Sequence, residues 1–196
     1  MTIKILLVLL TFFGCKSEKS FVKKDYSKQH IEAENFCNAN NFNADYYILI
    51  DMSIHSGRNR LYVYNFRNKK NDFEKLVTHG SCDMFTDNET KWEKAKFSNK
   101  IDSHCSSIGK YSIGSKGYSK WGINIKYWLN GLEKSNNNAV ARVTVLHSWE
   151  AVADKEIYPE YAPLSWGCPA VSNDFMTVLD MKLQASTHPV LLWIIE

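Results

Sequence analysis

Apolar and polar positions alternate from Ala139 to His147, where Val and Leu are interleaved with Arg and Thr. Alternation with a period of two predicts a β-strand, and this one ends on a histidine. The run Tyr46-Tyr-Ile-Leu-Ile50 is apolar enough for a buried strand. Leu61 to Phe66, rich in aromatic and β-branched residues, predicts a second strand. Phe73 to His79 predicts a third, and the turns between them suggest a meander. Further strands are expected over Ile108–Gly114, Ile123–Leu129 and Pro189–Ile195, the last apolar enough to be internal. Lys116–Gly122 reads as a loop of glycines and aromatics, and Gly131–Asn138 as a polar loop with three consecutive Asn. Helical spacing is confined to two places. Ile31, Phe36 and Cys37 give a weak apolar face between Ser27 and about Asn38. Phe175, Val178, Leu179 and Leu183 fall on one helical face behind Ser172 or Asn173, either a good N-cap. Between the strands, Gly80 to Ser107 has no period at all, and so long a loop in a compact domain is usually functional. The expected fold is mainly β, a β-rich α+β single domain with a few short helices.

The N-terminus changes where this domain is expected to work. Lys4 precedes the apolar run Ile5–Phe13, then Gly14-Cys15 and polar residues follow. The run is too short to span a bilayer, which needs about 20 residues, and reads as a signal-peptide core. The Gly-Cys ending resembles a bacterial lipoprotein signal, which implies cleavage before Cys15 and lipidation of its thiol. The chain then divides into a signal peptide (1–14), a lipid-anchored tether with a short helix (15–43) and the main domain (44–196). The expected location is the cell envelope, anchored to a membrane and facing the periplasm or the exterior.

Composition narrows the partners. The net charge of +3 is small and its basic residues are dispersed, so no nucleic-acid interface is expected. Six Trp and ten Tyr hint at a cleft that grips a polar, sugar- or peptide-like ligand. Five cysteines are present, and no Cys-x-x-Cys pair suggests a zinc site. Cys82 and Cys105 can pair in an oxidising compartment, but the sequence leaves free buried thiols equally open for Cys37, Cys82 and Cys105.

The candidate chemistry lies in two short stretches, Val143-Thr-Val-Leu-His147-Ser148 and Ser165-Trp-Gly-Cys168-Pro-Ala170. A strand delivers His147 and a turn delivers Cys168, the two parts of an activated thiol nucleophile. Gly167 permits close approach, and the N–H groups of Gly167 and Cys168 are candidate oxyanion donors. Pro169 has none to give. A nearby imidazolium, and a helix starting near Asn173, would both favour the thiolate.

These motifs resemble those of the L,D-transpeptidase (YkuD-type) catalytic domains, whose pattern is a histidine, a variable loop, then Ser/Thr-x-Gly-Cys. The Ser-Trp-Gly-Cys-Pro-Ala form is similar to the murein L,D-transpeptidase branch. Phe97-Ser-Asn99, Ser103-His104, Ser106–Tyr111, Gly117–Ser119, Gly131–Glu133 and Asn138–Arg142 fall in that branch's order. The resemblance implies a mixed-sheet β domain that acts on peptidoglycan stem peptides. Cys168 would form a thioester with the donor and pass it to an amine, with His147 as base and Ser148, by carbonyl or hydroxyl, orienting the ring. His104, Ser106, Tyr111, Tyr118, Ser165 and Trp166 would bind substrate. No metal or other cofactor is implied, and a monomer is expected. The wider family often carries His in place of Trp166 and Arg or Asn in place of Ala170. Arg142 reads as a solvated strand residue.

Other classes of protein would use the same residues. An L,D-carboxypeptidase or another wall-acting cysteine hydrolase would use the same pair. Papain-like enzymes place Cys before His, the reverse of the order here. A metal hydrolase using His79, His104 and His147 lacks a supporting spacing. A non-catalytic, lipid-anchored wall-binding module would use the aromatics alone.

Overall fold

The computed structural model describes residues 24–85 and 87–196. The expected signal segment, Cys15 and the first part of the tether lie outside them. Among the described residues two helices, α1 (Ser27–Ala39) and α2 (Asn173–Ala185), flank eight strands. The strands are β1 (Tyr46–Asp51), β2 (Leu61–Asn65), β3 (Lys70–Lys75), β4 (Gly109–Tyr118), β5 (Ile125–Gly131), β6 (Val145–Ser148), β7 (Ala170–Val171) and β8 (Val190–Ile195). They form one mixed sheet in the order β3-β2-β1-β8-β4-β5-β6-β7. The mainly-β expectation holds.

β1 and β8 lie at the centre, parallel to each other, and are apolar on both faces, as a doubly covered strand must be. Their alternation sorts the core. Ile48, Ile50, Leu192 and Ile194 pack with Phe175, Met176, Leu179 and Leu183 of α2 on one face. Tyr47, Leu49 and Leu191 pack with Ala33 and Cys37 of α1 on the other. Each large side chain buried this way is worth about 1.5–3 kcal/mol. α2 starts where the sequence places it: Ser172 accepts the Phe175 N–H at 3.2 Å and Asp174 sits in the first turn. α1 covers the sheet near β1, β2 and β8 and reaches Lys110 at the start of β4. Towards β5, β6 and β7 the face opposite α2 is left for the site.

The meander of β1, β2 and β3 is observed, but several expected boundaries move. The third strand is Lys70–Lys75 rather than 73–79. Val77 leaves the ladder because the buried Arg60 guanidinium takes its carbonyl at 2.7 Å, and Thr78 and Gly80 pair instead with Ala170 and Ser165. β4 runs on to Tyr118, through part of the expected glycine-aromatic loop, and β5 begins two residues later than expected. The largest change is at Ala139–His147. Only Val145–Ser148 is strand. Ala139 to Val143 form a coil of short-range bonds, Arg142 N–H to Asn138 and Val143 N–H to Val140. The Asn-rich turn before them overrides the alternation. On α1, Ile31 is 61% exposed, and the packed face is Ala33 and Cys37. On α2, Met176 and Asp180 are buried while Val178 is half-buried.

Candidate active site

β6 carries His147 and β7 follows Cys168, and the two strands pair in parallel at the end of the sheet. His147 opposes Ala170 on one side and Lys126 of β5 on the other. Two residues earlier Val145 opposes Trp128, and the Val145 N–H donates to Cys168 Sγ at 3.4 Å. Because side chains alternate along strands, His147, Lys126 and Trp128 share the face opposite α2, and the Cys168 thiol lies beside this strand end, within reach of the Lys126 charge. Tyr127 and Leu146, one residue out of phase, are buried in the α2 core.

The ring of His147 is oriented by its own strand. Nδ1 lies 2.9 Å from the Ser148 carbonyl. A carbonyl only accepts, so Nδ1 carries the hydrogen and Nε2 is left as the basic nitrogen. The Ser148 hydroxyl is used elsewhere, accepting the Ile123 N–H at 3.0 Å. That bond draws the 119–124 loop against the strand end, and Gly122 packs so closely on Ser148 that a side chain would not fit. Burial pulls the His147 pKa below its usual value; the Ser148 carbonyl opposes this and Lys126 adds to it.

Cys168 sits in a turn built by neighbours. Gly167 adopts φ +99°, and a Cβ there would stand 2.5 Å from the Cys105 carbonyl oxygen. Ser165 Oγ accepts the Gly167 N–H at 3.2 Å and donates to the Cys168 carbonyl at 2.6 Å. Thr78 Oγ1 also donates to that carbonyl, at 3.1 Å, and accepts the Ala170 N–H at 2.9 Å. The thiol itself points at the Val143 carbonyl, 3.7 Å away. Val143 holds φ +55°, a rare conformation for a β-branched residue and a form of backbone strain that clusters at functional sites. Burial pushes the thiol pKa up, opposed by the Val145 N–H, Arg142 and Lys126. Both shifts disfavour the charged forms, against an ion pair. The helix does not intervene: β7 separates Cys168 from α2, whose first turn is capped by Ser172.

The two expected oxyanion donors differ. The Gly167 N–H is spent on Ser165, whereas the Cys168 N–H has no partner among the described residues. The expected substrate-binding residues also divide. Trp166 is 75% exposed and stacks on His104, with ring centroids 4.8 Å apart and planes 14° apart. His104 is held by Asp83 at 3.0 Å. Tyr118 is exposed at the end of β4, and the exposed Trp121 stands edge-on to Trp149. Ser165 shapes the cysteine turn. Two expected residues do not line an open cleft. Tyr111 is fully buried in the core, its hydroxyl on the Ser107 carbonyl. Ser106 is buried, its hydroxyl accepting the Gly80 N–H. His79, His104 and His147 each serve a different partner, Arg60 and Lys91, Asp83, and Ser148 respectively.

Sequence reasoning passed over Thr78, Lys126, Val143 and Val145, and misread Arg142. The Arg142 guanidinium is not a solvated strand group. It donates to Ser107 Oγ, to the Cys105 carbonyl and, at 3.3 Å, to Ser103 Oγ. It lies directly under Gly167. Cys105 is in turn joined to Cys82 by a disulfide, which resolves the pairing that the sequence leaves open, while Cys37 is a buried free thiol. An arginine four residues past an Asn-rich turn and five before the histidine is the signal the sequence offers.

A thiol in a strained turn, beside a histidine whose tautomer is fixed by a carbonyl, is the arrangement cysteine acyl-transfer enzymes use. The chain belongs to the L,D-transpeptidase catalytic domain family, whose sequence profile matches residues 18–191. Among curated proteins no sequence matches it. Solved structures with a similar course include the helical cell shape determining protein Pgp2 from Campylobacter jejuni, at 14% identity and TM-score 0.47 over 76% of this chain and 46% of that one. An L,D-transpeptidase from Mycobacterium smegmatis matches at 10% identity and TM-score 0.42, over 78% of this chain and 59% of that one. L,D-transpeptidase 3 from Mycobacterium tuberculosis matches at 11% identity and TM-score 0.42, over 78% and 60%. The chain thus spans about half the length of the first of these structures.

Proposed function

We propose that the protein is a peptidoglycan L,D-transpeptidase that works through a thioester on Cys168. The observation that carries this reading is the Nδ1 bond from His147 to the Ser148 carbonyl, which leaves Nε2 basic at the strand end that the thiol lies beside. In the first half-reaction Nε2 takes the Cys168 proton as sulfur attacks the carbonyl of the third residue of a donor stem peptide. The Cys168 N–H receives the developing oxyanion. His147 then returns its proton to the departing nitrogen, the terminal D-amino acid leaves, and a thioester remains. An amine from a second stem peptide attacks the thioester and gives its proton to His147, the C–S bond breaks as the new amide forms, and His147 returns the proton to the Cys168 sulfur. The exposed Trp166, stacked on His104, and Tyr118 form walls for the peptides. A lipid anchor on Cys15, a location in the cell envelope and a monomeric state complete the proposal.

The test is a muropeptide digest with the full chain and with Cys168→Ala. Release of the terminal D-amino acid and formation of dimers joined through their third residues, both lost in the variant, are expected. Release without dimers would replace the transferase with a carboxypeptidase. Identical products from both proteins would overturn the enzymatic reading and leave a wall-binding module.

A further inference from the structure

We propose that Lys126 is the anchor for the free carboxylate of the residue that leaves the donor peptide. The inference rests on the acyl-transfer reading above and goes beyond it by naming what the site recognises on the leaving side. Its basis is a row across the sheet: Gly117 of β4 opposes Lys126 of β5, which opposes His147 of β6, which opposes Ala170 of β7. All four point to the face opposite α2.

Each member of the row leaves room for the lysine. A Cβ at Gly117 would lie 3.4 Å from Lys126 Cε and 3.7 Å from Cγ, so the glycine is a floor on which the lysine stem rests. The ammonium is steered by Trp128, whose ring centroid is 4.7 Å from Nζ. It makes no ion pair or hydrogen bond among the described residues, whereas Lys75, Lys110, Lys116 and Lys182 each hold a carboxylate. An aromatic face leaves a lysine's hydrogen-bonding capacity almost whole.

The position also suits the chemistry. His147 has to deliver a proton to the scissile nitrogen, and the leaving residue's carboxylate is attached one Cα beyond that nitrogen, within about 4 Å. Cross-strand partners hold their Cβ atoms about 5 Å apart. A cation on the strand beside His147 therefore reaches the place where that carboxylate falls. Ala170, the partner on the other side, presents only a methyl group. A peptide ending in a free carboxylate is bound with its terminal residue over β5, and an internal peptide bond or a blocked terminus is not.

Two measurements on the full chain test this. In the first, Cys168 is alkylated with iodoacetate and with iodoacetamide, and peptide mapping reads the modification. Both reagents report thiolate, but only iodoacetate carries a carboxylate. Lys126→Gln is expected to lower the iodoacetate-to-iodoacetamide rate ratio about threefold, and Lys126→Arg to preserve it, in the range of a partly exposed ion pair. In the second, a tetrapeptide donor is compared with its C-terminal amide. The wild type is expected to favour the acid about fivefold in kcat/KM, and Lys126→Gln to lose that preference. An unchanged alkylation ratio or an unchanged acid preference in Lys126→Gln overturns the inference while Cys168-dependent turnover stands. Absence of Cys168-dependent turnover with either donor overturns the acyl-transfer reading itself, and the donor assignment with it.

Discussion

The disulfide between Cys82 and Cys105 should be the main clamp on the cysteine side of the site. It closes a loop with a sequence separation of 23, within a stretch that has no helix or strand among the described residues. On the chain-entropy account, cross-linking a loop of that length removes about 3.4 kcal/mol of freedom from the unfolded chain. For a domain of this size each kcal/mol moves the melting temperature about 2–4 °C, so its loss should lower the midpoint by about 10 °C. The effect should also reach the nucleophile. Cys105 offers its carbonyl to Arg142, and Gly167 packs on that same carbonyl, so loosening Cys105 releases both the guanidinium and the turn that presents Cys168. The assay is a melting curve of the wild type with and without a reductant, beside the Cys82→Ser/Cys105→Ser double variant. Iodoacetamide labelling of Cys168 is then measured at a temperature where all forms are folded. Reduced wild type and double variant should melt together, well below the oxidised protein, and label Cys168 more slowly. Superimposable melting curves, or Cys82 and Cys105 freely alkylated in the untreated native protein, would refute the reasoning.

Two further outcomes follow from the same geometry. Gly167→Ala should abolish turnover and cost about 1–3 kcal/mol, because φ +99° and the Cys105 carbonyl leave a Cβ nowhere to go; a variant with wild-type activity and stability would show that the turn is not constrained. Stability should fall on acidification between pH 6.5 and about 4, because burial and the neighbouring Arg60 hold His79 neutral and lower its pKa to about 4. The unfolded chain takes up the proton below 6.5 and the folded one does not, so this stabilisation is complete above pH 6.5 and about 3 kcal/mol is lost on the way down. Denaturant midpoints across that range check it, and His79→Gln should flatten the slope.

How much of this could be read from the sequence depends on how local each cause is. The central strands declare themselves because both of their faces are buried, and α2 because Ser172 sits one residue ahead of an apolar helical face. His147 and Cys168 were visible because each ends a local pattern. Ala139–Val143 misled for the opposite reason. Its alternation is real, but the Asn136 side chain, tied to the Lys110 carbonyl and the Glu133 N–H, fixes a turn there. Those bonds reach 26 and 3 residues away, and only the nearer one lies within a sequence window. The same holds for Thr78, which latches the cysteine turn from 90 residues upstream. The motif suggests a cleft residue at Tyr111, whereas its burial follows from its position on the inward phase of β4.

The charges around the dyad explain why a resting ion pair is unnecessary. Lys126 lowers the pKa of both His147 and Cys168. It therefore favours the thiolate and disfavours the imidazolium, and the two effects oppose each other in the transfer of a proton from sulfur to nitrogen. Once sulfur has attacked, only the second effect remains on the dyad. The proton on His147 is then held less tightly than it would be on a free imidazole, and the nearest acceptor is the leaving nitrogen. A carboxylate bound at Lys126 would neutralise that push while the donor is seated and restore it when the amino acid departs. An incoming acceptor would thus meet a His147 that is neutral and able to accept its proton. On this account kcat/KM rises through a histidine pKa below 6.5 and stays level until well past it. An acid limb set instead by a depressed thiol pKa would mean that the pair rests as an ion pair.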